Sequence, residues 1–129
     1  MREILFRGKR TDNCEWLYGY YFFENINLYA NFNGCHYVHP CGQNQALSVI
    51  PETVGQYTGL TDKHGTRIFE GDVVNILTEN EEIGVVAYDD GGFLVEADGF
   101  CVDFHANING TDLEVIGNIH DNPELLKKG

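Results

Sequence analysis

Basic residues are scarce in this chain of 129 residues: 8 Lys and Arg stand against 20 Asp and Glu, a formal net charge of -12. A surface of that sign repels phosphates at long range, so direct binding to DNA or RNA is disfavoured. The one basic cluster, Arg7-Gly-Lys9-Arg10, is short and has acidic neighbours. Proline is also rare, with 3 residues, and no run approaches the roughly 20 apolar residues that a membrane-crossing helix needs. The first residues, Met1-Arg-Glu-Ile-Leu-Phe-Arg, put charges where a secretion signal needs an apolar stretch. The expectation is a cytoplasmic protein with no membrane role, in which Cys14, Cys35, Cys41 and Cys101 are reduced thiols.

Helical periodicity is missing as well. No long segment repeats its apolar residues at 3.6. What is present instead is aromatic side chains, 8 Phe, 7 Tyr and 1 Trp, and 15 Gly. Aromatic residues suit strands and glycines suit tight turns. Strand signals fall at Arg2–Arg7, Glu15–Phe23, Asn25–Asn33 with Gly34–Val38 as a hairpin, Ala46–Ile50, Val54–Leu60, Val73–Thr78, Ile83–Tyr88, Gly92–Ala97, Phe100–Phe104 and Leu113–Ile119. Turn chemistry separates them at Arg10–Cys14, Asn33-Gly34, Thr61–Gly65, Glu70-Gly71-Asp72, Glu79–Glu82 and Asp89-Asp90-Gly91-Gly92. Pro123–Lys127 predicts one helical turn, with Asn122 as cap and Pro123 at its first position.

The predicted fold is therefore all-β. Residues 1–50 read as an N-terminal β ribbon or meander and residues 51–129 as a small SH3-like β-barrel, ending in a short C-terminal helical turn, with one continuous domain as the alternative. The boundary falls between Asn44 and Val54. Gly117-Asn118 within the last strand predicts a bulge or a close backbone approach.

Three groups of residues are candidates for function. Cys35, His36, His39 and Cys41 are four potential ligands within seven residues, Cys thiolates and His imidazoles of the kind zinc accepts. Strand alternation, however, puts Cys35, His39 and Cys41 on one face with Tyr37, and His36 on the other. Cys-x-x-Cys spacing is absent, and a chain of this size needs no metal to fold, so no cofactor is assigned. Asp62, Lys63 and His64 share a loop, with Asp72 following, and general acid–base chemistry needs such groups. Turns between strands carry the same residues for backbone reasons. With no Gly-x-Ser-x-Gly, phosphate loop or His-Glu-x-x-His, the reading is a non-enzyme. Trp16, Tyr18, Tyr20 and Tyr21 form the third group, a platform for a peptide or for stacked bases, set against a plain role in filling a seam. The charge favours a peptide.

The segments Arg2-Glu-Ile-Leu-Phe-Arg-Gly-Lys-Arg with Glu15-Trp-Leu-Tyr-Gly, Val54-Gly-Gln-Tyr-Thr-Gly-Leu-Thr-Asp-Lys-His-Gly-Thr-Arg-Ile-Phe-Glu-Gly-Asp, and Glu114-Val-Ile-Gly-Asn-Ile-His-Asp-Asn-Pro-Glu-Leu-Leu stand in an order that resembles the YopX family of bacteriophages and bacterial prophages. The resemblance runs from about residue 2 to residue 126. It implies an all-β protein with a barrel-like C-terminal half and carries over no catalytic residue. Cys14 departs from the family pattern, in which Gly follows Asp-Asn. Residues 25–45 form its variable part.

The leading expectation is a phage-encoded adaptor acting through protein–protein contacts in the bacterial host cell. The alternative is an acidic decoy that occupies a basic, nucleic-acid-binding site on a host or phage protein. A hydrolase or metal-binding role is the second alternative. Self-association is also expected, because an apolar ribbon near residues 15–38 offers an open edge.

Overall fold

The computed structural model describes residues 4–24, 35–40, 42–77, 82–89, 92–97, 100–103 and 112–126. Among them run β1 (Phe6–Lys9), β2 (Trp16–Glu24), β3 (Cys35–Pro40), β4 (Leu47–Ser48), β5 (Gly55–Thr61), β6 (Arg67–Phe69), β7 (Asp72–Ile76), β8 (Glu82–Asp89), β9 (Gly92–Ala97), β10 (Phe100–Asp103) and β11 (Leu113–Asn118). Every pairing is antiparallel. Among the described residues, 3-10 turns run at Pro51–Thr53 and Pro123–Leu126, the second where Asn122-Pro123 predicts one. The hairpin strand expected at Asn25–Asn33 lies outside the described residues, as do residues 33–34, 79–81 and 90–91 of the turns expected at Asn33-Gly34, Glu79–Glu82 and Asp89–Gly92. The chain divides into two compact units, Met1–Gln56 and Tyr57–Gly129. The division falls within β5, whose first residues pair with β1.

In the first unit the strands lie in the order β4-β3-β2-β1, and β1 also pairs through Phe6 and Arg7 with Gln56 and Gly55 of β5. The long strand β2 can lie close to β3 because Gly19 has no side chain. A Cβ there would meet the His39 carbonyl oxygen and come within 2.8 Å of Pro40 Cα. Leu5, Val38 and Val49 are buried. Thr53 ties the end of this unit to β1. Its Oγ1 donates to the Ile50 carbonyl at 2.6 Å and accepts the Lys9 N–H at 2.9 Å.

The turn from β1 to β2 is closed by local polar groups. Asn13 Oδ1 accepts the Glu15 N–H at 2.9 Å, and the Arg10 guanidinium bonds the Asp12 carboxylate at 2.9 and 2.7 Å. That guanidinium holds the Asp12 carboxyl below the usual carboxylate range. Cys14 has φ 61°, the left-handed region that disfavours a side chain.

In the second unit β5 pairs onward with β6, and a five-stranded sheet runs β10-β9-β8-β7-β11. Ile68, Val74, Ile76, Val86, Phe93, Val95 and Leu113 form its buried cluster, with Leu60, Ala97 and Val115 packed against it. Each such side chain contributes about 1.5–3 kcal/mol by leaving water. The Glu70-Gly71-Asp72 turn aims the chain into this core. Gly71 takes φ 93°, and the buried Asp72 carboxylate accepts the Phe69 N–H at 2.7 Å. The bulge predicted at Gly117 is present as a register shift between Val115 and Gly117. A Cβ on Gly117 would lie 2.6 Å from Asn122 Oδ1 and 2.9 Å from Leu125 Cδ1, so the missing side chain admits the C-terminal turn.

The SH3-like barrel requires a sheet that closes on itself. Among the described residues no sheet does so: β10 and β11 are the ends of the five-stranded order. Strand spacing gives the number of strands, whereas closure depends on tilt and shear.

Candidate functional site

The even-numbered side chains of β2 share one face of the sheet. Tyr18, Tyr20 and Phe22 are 47%, 63% and 40% exposed, and Trp16 on the same parity is half-buried. The register brings further groups onto this face. Tyr37 of β3 pairs opposite Phe22 and stacks on it with ring centroids 5.2 Å apart, and His39 pairs opposite Tyr20. From β1, Lys9 and Arg7 pair opposite Trp16 and Tyr18. Arg7 Cζ lies 4.7 Å and Lys9 Nζ 5.4 Å from the Trp16 ring centroid. Cations at that range are attracted by the ring's negative face and fix its orientation.

The result is an aromatic sheet face open to solvent at Tyr18, Tyr20 and Phe22, with Trp16 anchored at one end. Of the four residues picked from the sequence, Trp16, Tyr18 and Tyr20 share it. Tyr21 does not. Its hydroxyl lies 2.6 Å from His36 Nδ1 on the opposite face, and its ring is 5.5 Å from Phe6. Phe22 and Tyr37 take the place given to Tyr21. Phe22 follows from period-two parity, but Tyr37 is found only through the register of β3.

The two histidines of the Cys/His cluster are separated. His36 bonds Tyr21 on one face, while His39 Nε2 lies 2.8 Å from the Gln43 carbonyl oxygen on the other. Cys41 lies outside the described residues, as does the Cys35 side chain. Among the described residues no three His, Cys, Asp or Glu side chains gather as metal ligands.

In the Asp62–His64 loop the Asp62 carboxylate is engaged by backbone amides. Asp62 is 3% exposed. Its Oδ1 accepts the N–H groups of His64 at 2.8 Å and Thr66 at 2.9 Å, and its Oδ2 accepts that of Val115 at 2.9 Å. Burial pushes its carboxyl up, but the Val115, Thr66 and His64 amides outweigh this, with help from the His64 side chain, and hold it below the ordinary value. His64 Nε2 is 3.0 Å and Lys63 Nζ 3.8 Å from Glu114 Oε2. Asp72 serves Phe69 in a separate turn.

These features define an all-β protein of antiparallel sheets whose strongest candidate site is an exposed aromatic face. The family model for the YopX protein matches residues 5–127, and the chain belongs to that family. It is similar to a solved structure, the crystal structure of protein EF1440 from Enterococcus faecalis, with 28% identity and a TM-score of 0.61 over 98% of this chain and 100% of that one. No curated protein matches the chain.

Proposed function

We propose that this is a phage- or prophage-encoded binding protein of the bacterial cytoplasm, an adaptor that works through protein–protein contacts on the aromatic face of β2 and β3. The exposure of Tyr18, Tyr20 and Phe22 side by side carries the reading. Aromatic rings give large contact area for little lost rotamer freedom and dominate binding energy at interfaces. The net charge of -12 works against a nucleic-acid strand as guest. A photo-crosslinking amino acid at Tyr20, used in living bacterial cells, tests this. Discrete protein adducts are expected, with yield falling about tenfold or more when Tyr18 and Phe22 become Ala. Adducts to nucleic acid alone, or a yield indifferent to those changes, would refute it.

A second reading is favoured by one observation. Residues 57–129 hold fifteen acidic and four basic side chains, so the second unit carries nearly all the net negative charge. An acidic decoy for a basic, nucleic-acid-binding protein site would bind through that unit, weaken steeply with salt and compete with DNA. Binding unchanged between low and high salt would remove it.

A further inference from the structure

The second unit presents a surface unlike the aromatic face. Its sheet has one side committed to the buried cluster, and the register shows what lies on the other. Cross-strand partners share a face. One row is Glu114, Asn75 and Ile83; the next includes Val73, Val85 and Glu96; a third is Ala87 and Leu94; Asp89 stands opposite Gly92. None of these residues belongs to the core cluster.

Val73 is fully buried. Gly117, its partner in β11, admits Leu125 of the C-terminal turn at that end of the face. On β8 and β9 the face is more open. Ile83 is 44% exposed, Val85, Ala87 and Leu94 are half-buried, and Asp89 and Glu96 are exposed. An apolar strip is thus bordered by three carboxylates, Asp89, Glu96 and the half-buried Glu114, the last with Lys63 nearby.

We infer that this face of β8 and β9 docks a basic, amphipathic polypeptide segment of a partner protein. Its apolar side chains cover Ile83, Val85, Ala87 and Leu94, and its Lys or Arg groups meet Asp89 and Glu96. Charge selects this occupant. Residues 57–129 have a net charge of -11, counted as fifteen acidic against four basic side chains, whereas residues 1–56 have five against four. The same face of a second copy, a nucleic acid or an anionic membrane would each be repelled. The apolar strip adds a term that a purely cationic ligand cannot satisfy.

The inference rests on the reading of the protein as one that acts through protein contacts, but uses a different surface, so the two can fail separately. The probe is a synthetic peptide of alternating Lys and Leu, compared with an oligolysine of equal charge by fluorescence anisotropy on the full chain. The Lys/Leu peptide is expected to bind about tenfold or more tightly than oligolysine. Replacing Ile83→Thr and Val85→Thr together keeps charge and strand shape and should erase that advantage, with circular dichroism unchanged. Tyr20→Ala should leave it intact. Equal binding of both peptides, no binding of either, or an advantage that survives the double Thr variant would overturn the inference. Loss with Tyr20→Ala alone would move the peptide to the aromatic face, overturning this inference while supporting the proposed function. A double Thr variant that fails to fold is replaced by Glu96→Gln, which should weaken the Lys/Leu peptide at low salt; unchanged binding would again count against the site.

Discussion

Removing the Asp62 carboxylate should cost the second unit a large part of its stability. Three backbone amides converge on this group, from His64, Thr66 and Val115, at 2.8–2.9 Å, and the side chain is 3% exposed. A hydrogen bond to a charged acceptor contributes about 1.5–3 kcal/mol, and a buried donor left alone costs about 1–3 kcal/mol. Water reaching the loop through the exposed His64 and Gly65 offsets part of that, so Asp62→Ala should lose about 3–5 kcal/mol. Asp62→Asn keeps an oxygen for His64 and Thr66 but turns an N–H towards the Val115 N–H. It should lose about 1.5–3 kcal/mol. Against a total stability of about 5–15 kcal/mol these are large effects.

Urea unfolding followed by circular dichroism gives the two losses, and amide exchange at His64, Thr66 and Val115 localises them. The pH dependence supplies an independent check. The folded carboxyl titrates below its ordinary value, so the unfolded chain takes up the proton first. The stabilisation is complete above the unfolded value of about 3.9 and is lost as pH falls through the lower folded value. The wild type should therefore lose more stability on acidification than Asp62→Asn does. Losses under about 1 kcal/mol in both variants, or identical acid profiles, would refute the account of Asp62 as a structural acceptor.

Two further outcomes follow from backbone geometry. Cys14→Gly relieves a left-handed residue costing about 1–2 kcal/mol while adding about 0.5–1 kcal/mol of unfolded-state entropy, so stability should rise by up to about 1.5 kcal/mol and the urea midpoint with it; a fall would contradict the strain. Gly19→Ala drives a methyl group into the His39 carbonyl, so β2 and β3 must part at their centre, and a loss of at least about 2 kcal/mol with broadened amide signals at Val38–Pro40 is expected; a native-like spectrum would show that the strands are not held this close.

Much of this architecture is legible in the sequence. Glycine-marked turns and period-two apolar residues locate the strands to within a few positions, and Asn122-Pro123 marks the terminal turn. The Cys14 departure marks a strained backbone position because only the absence of a Cβ makes left-handed geometry cheap there. Other features depend on long-range register. Tyr37 joins the aromatic face only because Phe22 pairs opposite it, and Tyr21 leaves the face because one residue along a strand reverses the side chain. Asp62 reads locally as turn chemistry beside possible acid–base groups. Its role depends on Val115, 53 residues away, which no local pattern links to it. Sheet closure is likewise invisible, since spacing says nothing of shear.

The loop after β5 also does something for β11 that reaches beyond stability. β11 ends the five-stranded order, and the end of a sheet offers bare amides and carbonyls to any passing chain. Here the Lys63 N–H donates to the Leu113 carbonyl at 3.1 Å while the Asp62 carboxylate takes the Val115 N–H. For two rungs the loop imitates a neighbouring strand without continuing as one, so it offers no template for further growth. One carboxylate thereby helps keep separate copies from zipping together along this margin, and a concentrated solution of the Asp62→Ala protein should turn cloudy where the native protein stays clear.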